Sequence, residues 1–129
     1  MGKRYLIDTN ALIYFLKAAL PQNGFLFVQE ILDTVPVISF VTQIELLGYP
    51  SISNTEEAFA KQIIEVASVV FISNAIIEQT ILLRKSHKVK LPDAIIAATA
   101  IVNNLILVTS NEKDFLKVPN LKVTNPFTL

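Results

Sequence analysis

At 129 residues the chain is long enough for one domain with a real core, and its 52% apolar content exceeds the usual ~45–50% while the 17% of charged side chains falls below the usual ~25%. Eleven basic and eleven acidic side chains cancel, which removes the whole-domain electrostatic argument for a nucleic-acid partner and leaves only local patches. With no cysteine and a single histidine, disulfides, thiolate zinc sites and histidine-rich metal sites are excluded, so any metal must be held by oxygen.

The apolar excess needs cover, and self-association is the simplest cover. No apolar h-region with a cleavage site opens the chain, and no apolar run approaches the ~18–20 residues of a membrane span. The expectation is a soluble, cytoplasmic, single domain over residues 1–129 that makes no membrane contact.

Tyr5-Leu6-Ile7 is an apolar run of buried-strand length that stops at Asp8-Thr9-Asn10. In an open α/β sheet ligands bind at the carboxyl ends of strands, which is where Asp8 stands. The plainer role for Asp8 is N-cap of the helix expected over Thr9–Ala19, ended by Pro21 and Asn23-Gly24. Phe25-Leu26-Phe27-Val28 with Ile31 and Leu32 is apolar over more than one helical face, so this second helix is expected to be buried on two sides, one of them against a second copy of the chain.

Val37–Phe40 reads as the second strand and Val41–Leu47, stopped by Gly48 and Pro50, as a short helix. That helix carries Glu45, with Thr42 on the same face; a helix that follows a strand directly aims its side chains into the crevice at the strand ends. Thr55-Glu56-Glu57 opens an amphipathic helix, its acids being partners of the helix dipole. Val69–Ile72 is the expected third strand, and Ser73-Asn74 caps a helix through Ile76, Ile77, Ile81 and Leu82 that ends in Arg84-Lys85-Ser86-His87-Lys88. The basic run Arg84–Lys90 is either a solvated helix end or a contact for the phosphate backbone, and His87 within it reads as a surface residue.

Pro92 suits the first turn of the helix Leu91–Val102 and places Asp93 in that turn. Asp93, Ala97 and Ala100 share one face, and small residues there let the helix approach its neighbour and carry Asp93 towards the crevice. After Asn103-Asn104, Leu105–Val108 is the fourth strand, again followed by polar and acidic residues, Thr109 to Asp114. Lys122–Thr124 adds an edge strand.

Strands alternating with helices define a parallel sheet covered on both faces. In that architecture Asp8, Glu45, Asp93 and the Asn111/Asp114 pair fall on one side. Two carboxylates ~5 Å apart at an effective dielectric of ~20 repel by roughly 3 kcal/mol, so such a cluster calls for a cation. Oxygen ligands select a hard one, Mg²⁺ or Mn²⁺, and hard divalent ions held by a few acids suit phosphate-ester chemistry. The residues alone therefore point to a metal-dependent nuclease or phosphatase.

Leu6-Ile7-Asp8-Thr9-Asn10, Thr42-Gln43-Ile44-Glu45, Leu91-Pro92-Asp93-Ala94-Ile95-Ile96-Ala97-Ala98-Thr99-Ala100 and Thr109-Ser110-Asn111-Glu112-Lys113-Asp114-Phe115 resemble, in order and spacing, the four motifs of the PIN-domain family. Compact members are similar to VapC-type toxins of toxin–antitoxin pairs. The resemblance implies a Rossmann-like three-layer α/β/α sandwich on a four- to five-stranded parallel sheet, and an Mg²⁺-dependent endoribonuclease, Mn²⁺ being a substitute. It also implies a homodimer with an RNA substrate and a cognate antitoxin. Asp8, Glu45 and Asp93 would form the acid core, with Asp8 and Asp93 the most direct metal ligands. The family often has aspartate where this chain has Asn111, and Asp114 stands as the alternative fourth carboxylate. Thr9, Thr42 and Ser110 match small hydroxyl positions that hold ligand acids or the attacking water, with Asn10 and Asn111 beside them. A PIN-fold protein with weak catalysis, serving as an RNA-binding or regulatory module, is the alternative.

Overall fold

The computed structural model describes residues 3–129. Five strands form one wholly parallel sheet: β1 (Tyr5–Ile7), β2 (Val37–Ser39), β3 (Ser68–Val70), β4 (Ile106–Val108) and β5 (Val123–Thr124), in the spatial order β3-β2-β1-β4-β5. Helices α1 (Thr9–Leu16), α2 (Gln22–Leu32), α3 (Phe40–Leu47) and α4 (Asn54–Val66) lie in the connections that run outward from β1 to β3. The chain then returns to the far side of β1 through α5 (Asn74–Ser86) and α6 (Leu91–Val102), and α7 (Glu112–Phe115) joins β4 to β5.

Period-two alternation in the strands splits the core in two, because successive side chains leave a strand on opposite faces. Leu6, Val37 and Leu107 pack with α5, α6 and α7, while Ile7, Ile38 and Val108 pack with α1, α2, α3 and α4. The result is the expected α/β/α sandwich. The order of strands reverses direction between β1 and β4, so the carboxyl ends of these two and of β2 border the crevice where an open α/β sheet binds its ligand.

Local chemistry sets the element ends and corrects several expected ones. The first helix stops at Leu16, short of Ala19: Ala18 takes φ 54°, and Ala19 N–H donates to the Tyr14 carbonyl while Ala18 N–H donates to Phe15, a Schellman ending. Asn104, at φ 53°, ends α6 in the same way. Ser39 caps α3 by accepting from Val41 N–H, so Phe40 belongs to the helix rather than to the strand. The third strand ends at Val70, and Phe71 and Ile72, expected within it, are exposed.

α2 finds apolar partners within this chain on more than one face, though Leu26 stays exposed and Phe25, Phe27, Ile31 and Leu32 are only partly buried. Phe25 stacks on Phe15 with ring centroids 4.6 Å apart, and Phe27 meets Tyr5 edge-on at 5.2 Å. Gly24 lies so close under Pro126 that no Cβ fits, so the last residues of the chain close over this helix. The exposed apolar side chains cluster instead after β3 and on α5: Phe71, Ile72, Ile77, Ile81 and Leu82. Among the described residues, no helix is long and apolar enough to cross a membrane.

Candidate active site

Asp8 leaves β1 with its backbone N–H bonded to the Val108 carbonyl of β4 at 3.0 Å, which fixes its position at the crevice. Its two proposed roles coexist. Oδ1 accepts from Ala11 N–H at 2.8 Å and caps α1, while Oδ2 accepts from the Thr109 hydroxyl. Asp8 is only 4% exposed, and burial pushes its carboxyl up to about 6 from an ordinary value of 3.8. The bonds from Thr109 and Ala11 oppose that rise, and repulsion from Asp93 and Glu45 adds to it.

Glu45, on α3, reaches the same crevice through a hydroxyl chain. Thr9 Oγ1 lies 2.6 Å from Glu45 Oε1 and 3.2 Å from the fully buried Thr42 Oγ1. A hydroxyl has one proton, so Thr9 donates to the carboxylate and accepts from Thr42. Asp93 stands in the first turn of α6, half-buried, its carboxyl raised first by burial and then by repulsion from Asp114 and Glu45, with Lys90 opposing. Behind it Ala94, Ala97, Ala98 and Ala100 are fully buried, as the small-residue face of α6 requires.

Asp8, Thr9, Asn10, Glu45 and Asp93 line one pocket of about 170 Å³ together with Ile13, Tyr49 and Ile96. Two larger cavities, of about 370 and 520 Å³, lie elsewhere, one beside the amino ends of β1 and β2 and one between α1, α2 and α4. Size does not single out the acid pocket; its lining does. Asp114 flanks it as the first charge that repels Asp93, and the Asn111 side-chain amide donates to Asp114 Oδ2 at 2.9 Å. Asn111 and Asp114 are therefore a bonded pair at the rim rather than substitutes for each other.

The structure adds a residue that the motif reading passed over. Thr109, fully buried, donates to Asp8 and accepts from Asn111 N–H at 3.0 Å, so the hydroxyl that reaches the acid core is Thr109 and not its neighbour Ser110. Within the basic run Arg84 donates to the Val89 carbonyl at 2.8 Å, while Lys85, Lys88 and Lys90 are exposed and Lys117 joins them by donating to the Lys88 backbone carbonyl. His87 is half-buried rather than on the surface, and its Nδ1 is buried without a partner among the described residues.

The donor set fits a hard divalent cation. Among the described residues the ion pairs are Lys17–Glu56 and Lys61–Glu57, so no basic side chain is paired with the pocket acids, and every polar side chain in the pocket offers oxygen. No three acidic or histidine side chains among the described residues are already drawn around one point.

The family model for the PIN domain matches residues 5–121, a span that holds all four motifs, and the chain belongs to the PIN-domain family. It is 31% identical to a chain of a toxin–antitoxin complex from Klebsiella pneumoniae, over 97% of this chain and 99% of that one, with a TM-score of 0.77. It is 27% identical to a chain of VapBC-1 from nontypeable Haemophilus influenzae, over 95% and 97% of the two chains, with a TM-score of 0.74. A chain of DNA-bound VapBC from Salmonella typhimurium, 23% identical over 97% and 99% with a TM-score of 0.77, shares the fold. A search of functionally curated proteins found no match.

Proposed function

We propose that this chain is an endoribonuclease dependent on Mg²⁺, with Mn²⁺ as a substitute, and the toxin half of a VapBC-like pair. The observation that carries the reading is the meeting, in one pocket, of Asp8, Glu45 and Asp93 from three separate segments, with the most buried of them lacking any cationic partner. Asp8 and Asp93 would hold the ion, which when bound neutralises phosphodiester charge and makes water more acidic.

The chain's own residues do the remaining work. Thr109 and Ala11 N–H fix both oxygens of Asp8, so its carboxylate keeps one orientation. Thr42 and Thr9 hold Glu45 Oε1, and Glu45 takes the proton of the attacking water on its other oxygen. Asn10, exposed in the pocket, binds the phosphate or its ribose; Lys90 beside Asp93 offsets phosphate charge. Asp114, turned by Asn111, supplies the fourth carboxylate.

The neighbours named as toxin–antitoxin complexes support an antitoxin partner. We assign its apolar helical face to the groove lined by Phe15, Phe25, Leu32, Phe59 and Ile63, and a basic side chain of its following segment to the acid pocket. To the pairing of two copies we assign the exposed apolar side chains after β3 and on α5, Phe71, Ile72, Ile81 and Leu82.

Digestion of RNA by the purified protein tests the reading. Cleavage with Mg²⁺ or Mn²⁺ that stops in EDTA supports it; cleavage indifferent to EDTA, or none under any condition, contradicts it. One observation favours a second reading, an RNA-binding module with weak catalysis: Asn111 already occupies one oxygen of Asp114. Binding of RNA without cleavage in the same assay would establish that reading instead.

A further inference from the structure

Opposite the acid crevice, at the amino edge of the sheet, lies a cavity that the nuclease reading leaves unused. Its volume, about 370 Å³, falls within the roughly 300–1,000 Å³ of small-molecule sites. β1 runs between the two places: Tyr5 lines this cavity and Asp8 the crevice, about 10 Å apart at ~3.3 Å per residue. β1 and β2 pair at Leu6 and Val37, and the residues ahead of them, Lys3 and Arg4 before β1 and Thr34 and Val35 before β2, border the opening.

The lining is divided by chemistry. Tyr5, Phe27 and Ile31 make an apolar wall, its two rings set edge-on at 5.2 Å, and Val35 beside them is 65% exposed, so apolar surface stays uncovered. Lys3 and Arg4 bring positive charge and Glu30 a single carboxylate, all three exposed. Among the described residues neither cation forms an ion pair, with Glu30 or with any other acid. The Ile31 carbonyl at the end of α2 is not their acceptor either, since the Thr34 hydroxyl and N–H both donate to it, at 2.7 and 3.1 Å.

We propose that this cavity is a binding site for a nucleoside monophosphate. Each part of such a molecule meets one part of the lining. A phosphate monoester carries about −1.5 to −2 charge near pH 7, which answers two neighbouring cations better than a lone carboxylate does. The base lies against the apolar wall, where the polyhydroxy body of a sugar phosphate gains nothing. Ribose hydroxyls or a base amine donate to Glu30, which when ionised can only accept. The proposal does not rest on the nuclease reading, because the crevice contributes no residue to this cavity.

The test is calorimetric titration of the purified protein in EDTA, which keeps divalent ions out of the crevice. AMP, GMP, CMP and UMP are compared with adenosine, inorganic phosphate and phenyl phosphate, and thermal midpoints confirm that each variant is folded. The expected result is saturable binding of at least one mononucleotide, with adenosine, phosphate and phenyl phosphate each at least about 10-fold weaker. Lys3→Gln combined with Arg4→Gln weakens that binding on the order of 10- to 100-fold, and Glu30→Ala weakens it while leaving phenyl phosphate no weaker. Asp93→Asn, in the crevice, leaves it unchanged. No saturable binding by any of the four mononucleotides overturns the proposal. So does binding that ignores the Lys3 and Arg4 substitutions, phenyl phosphate that matches the best mononucleotide, or binding lost only in Asp93→Asn, which would place the ligand at the crevice. Because no cleavage is measured, failure here leaves the nuclease reading standing, and a failed digestion leaves this site standing.

Discussion

Two places in this molecule gather acidic side chains, and they are built in opposite ways. At the start of α4, Ser53 and Glu56 form a reciprocal capping box, Glu56 pairs with Lys17 at 3.1 Å and Glu57 with Lys61 at 3.3 Å. There the backbone N–H of Ser53, followed by Lys17, holds the Glu56 carboxyl below its ordinary range. At the sheet crevice Asp8 accepts from Ala11 N–H and from Thr109, and Asp93 stands near Lys90, yet neither forms an ion pair and burial outweighs these contacts, holding both carboxyls above the ordinary range. A run of acids in sequence is thus no sign of a site by itself. What distinguishes the crevice is that its acids form no ion pair among the described residues and are surrounded by burial and by each other, which is the setting the proposed ion would complete.

The sharpest way to break this contrast is to neutralise one acid on each side. Asp8→Asn and Asp93→Asn should each lower RNA cleavage by more than about 100-fold, since even the outer partners of a metal ligand are worth roughly 10- to 100-fold. The metal-free Asp8→Asn protein should also be more stable near neutral pH, by up to about 2–3 kcal/mol, because it no longer ionises a buried group. A denaturant titration in EDTA measures this, and a destabilised Asp8→Asn would mean that the carboxylate is structural. Removing the hydroxyl behind Asp8 comes next. Thr109→Val should cost roughly 10- to 100-fold in cleavage and in metal affinity while the fold persists.

The effect of pH is smaller and has a defined sign. Because the folded-state value of Asp8, about 6, lies above its ordinary 3.8, ionising it opposes folding. Stability without metal is favoured at low pH and is lost as pH rises through the folded value; lowering pH from about 7.5 to 5 should return roughly 1 kcal/mol, and the upward shift of Asp93 acts in the same direction. Saturating Mg²⁺ should reverse the trend, since the ion competes with the protons. At α4 the expectation inverts: Glu56→Ala removes half of the capping box and the pairing with Lys17 and should destabilise the protein slightly, read as a lower thermal midpoint.

Much of the crevice was legible in the chain because Asp8 and Asp93 each follow a local signature, an apolar run that stops on an acid and a proline in a helix's first turn. Glu45 was marked by a short helix that follows a strand directly, and the family motifs then matched it. Thr109 carries no such mark: a threonine after an apolar run looks like any strand end, and the carboxylate it serves is 101 positions away. The fold itself followed from alternation and punctuation, with errors where composition misled. Phe71 and Ile72 continue an apolar run beyond the last paired residue of β3, and α2, expected to bury one side against a second copy, has the rings of Tyr5 and Phe15 and the backbone of Pro126 against it.

Calorimetric titration of Mn²⁺ into wild type, Asp8→Asn and Asp93→Asn, in buffers of different ionisation enthalpy near pH 6, addresses the central claim most directly. The account predicts that wild type binds the ion and releases protons as it does so, and that each variant binds far more weakly. Absence of binding to wild type, or equal binding by all three proteins, would contradict it.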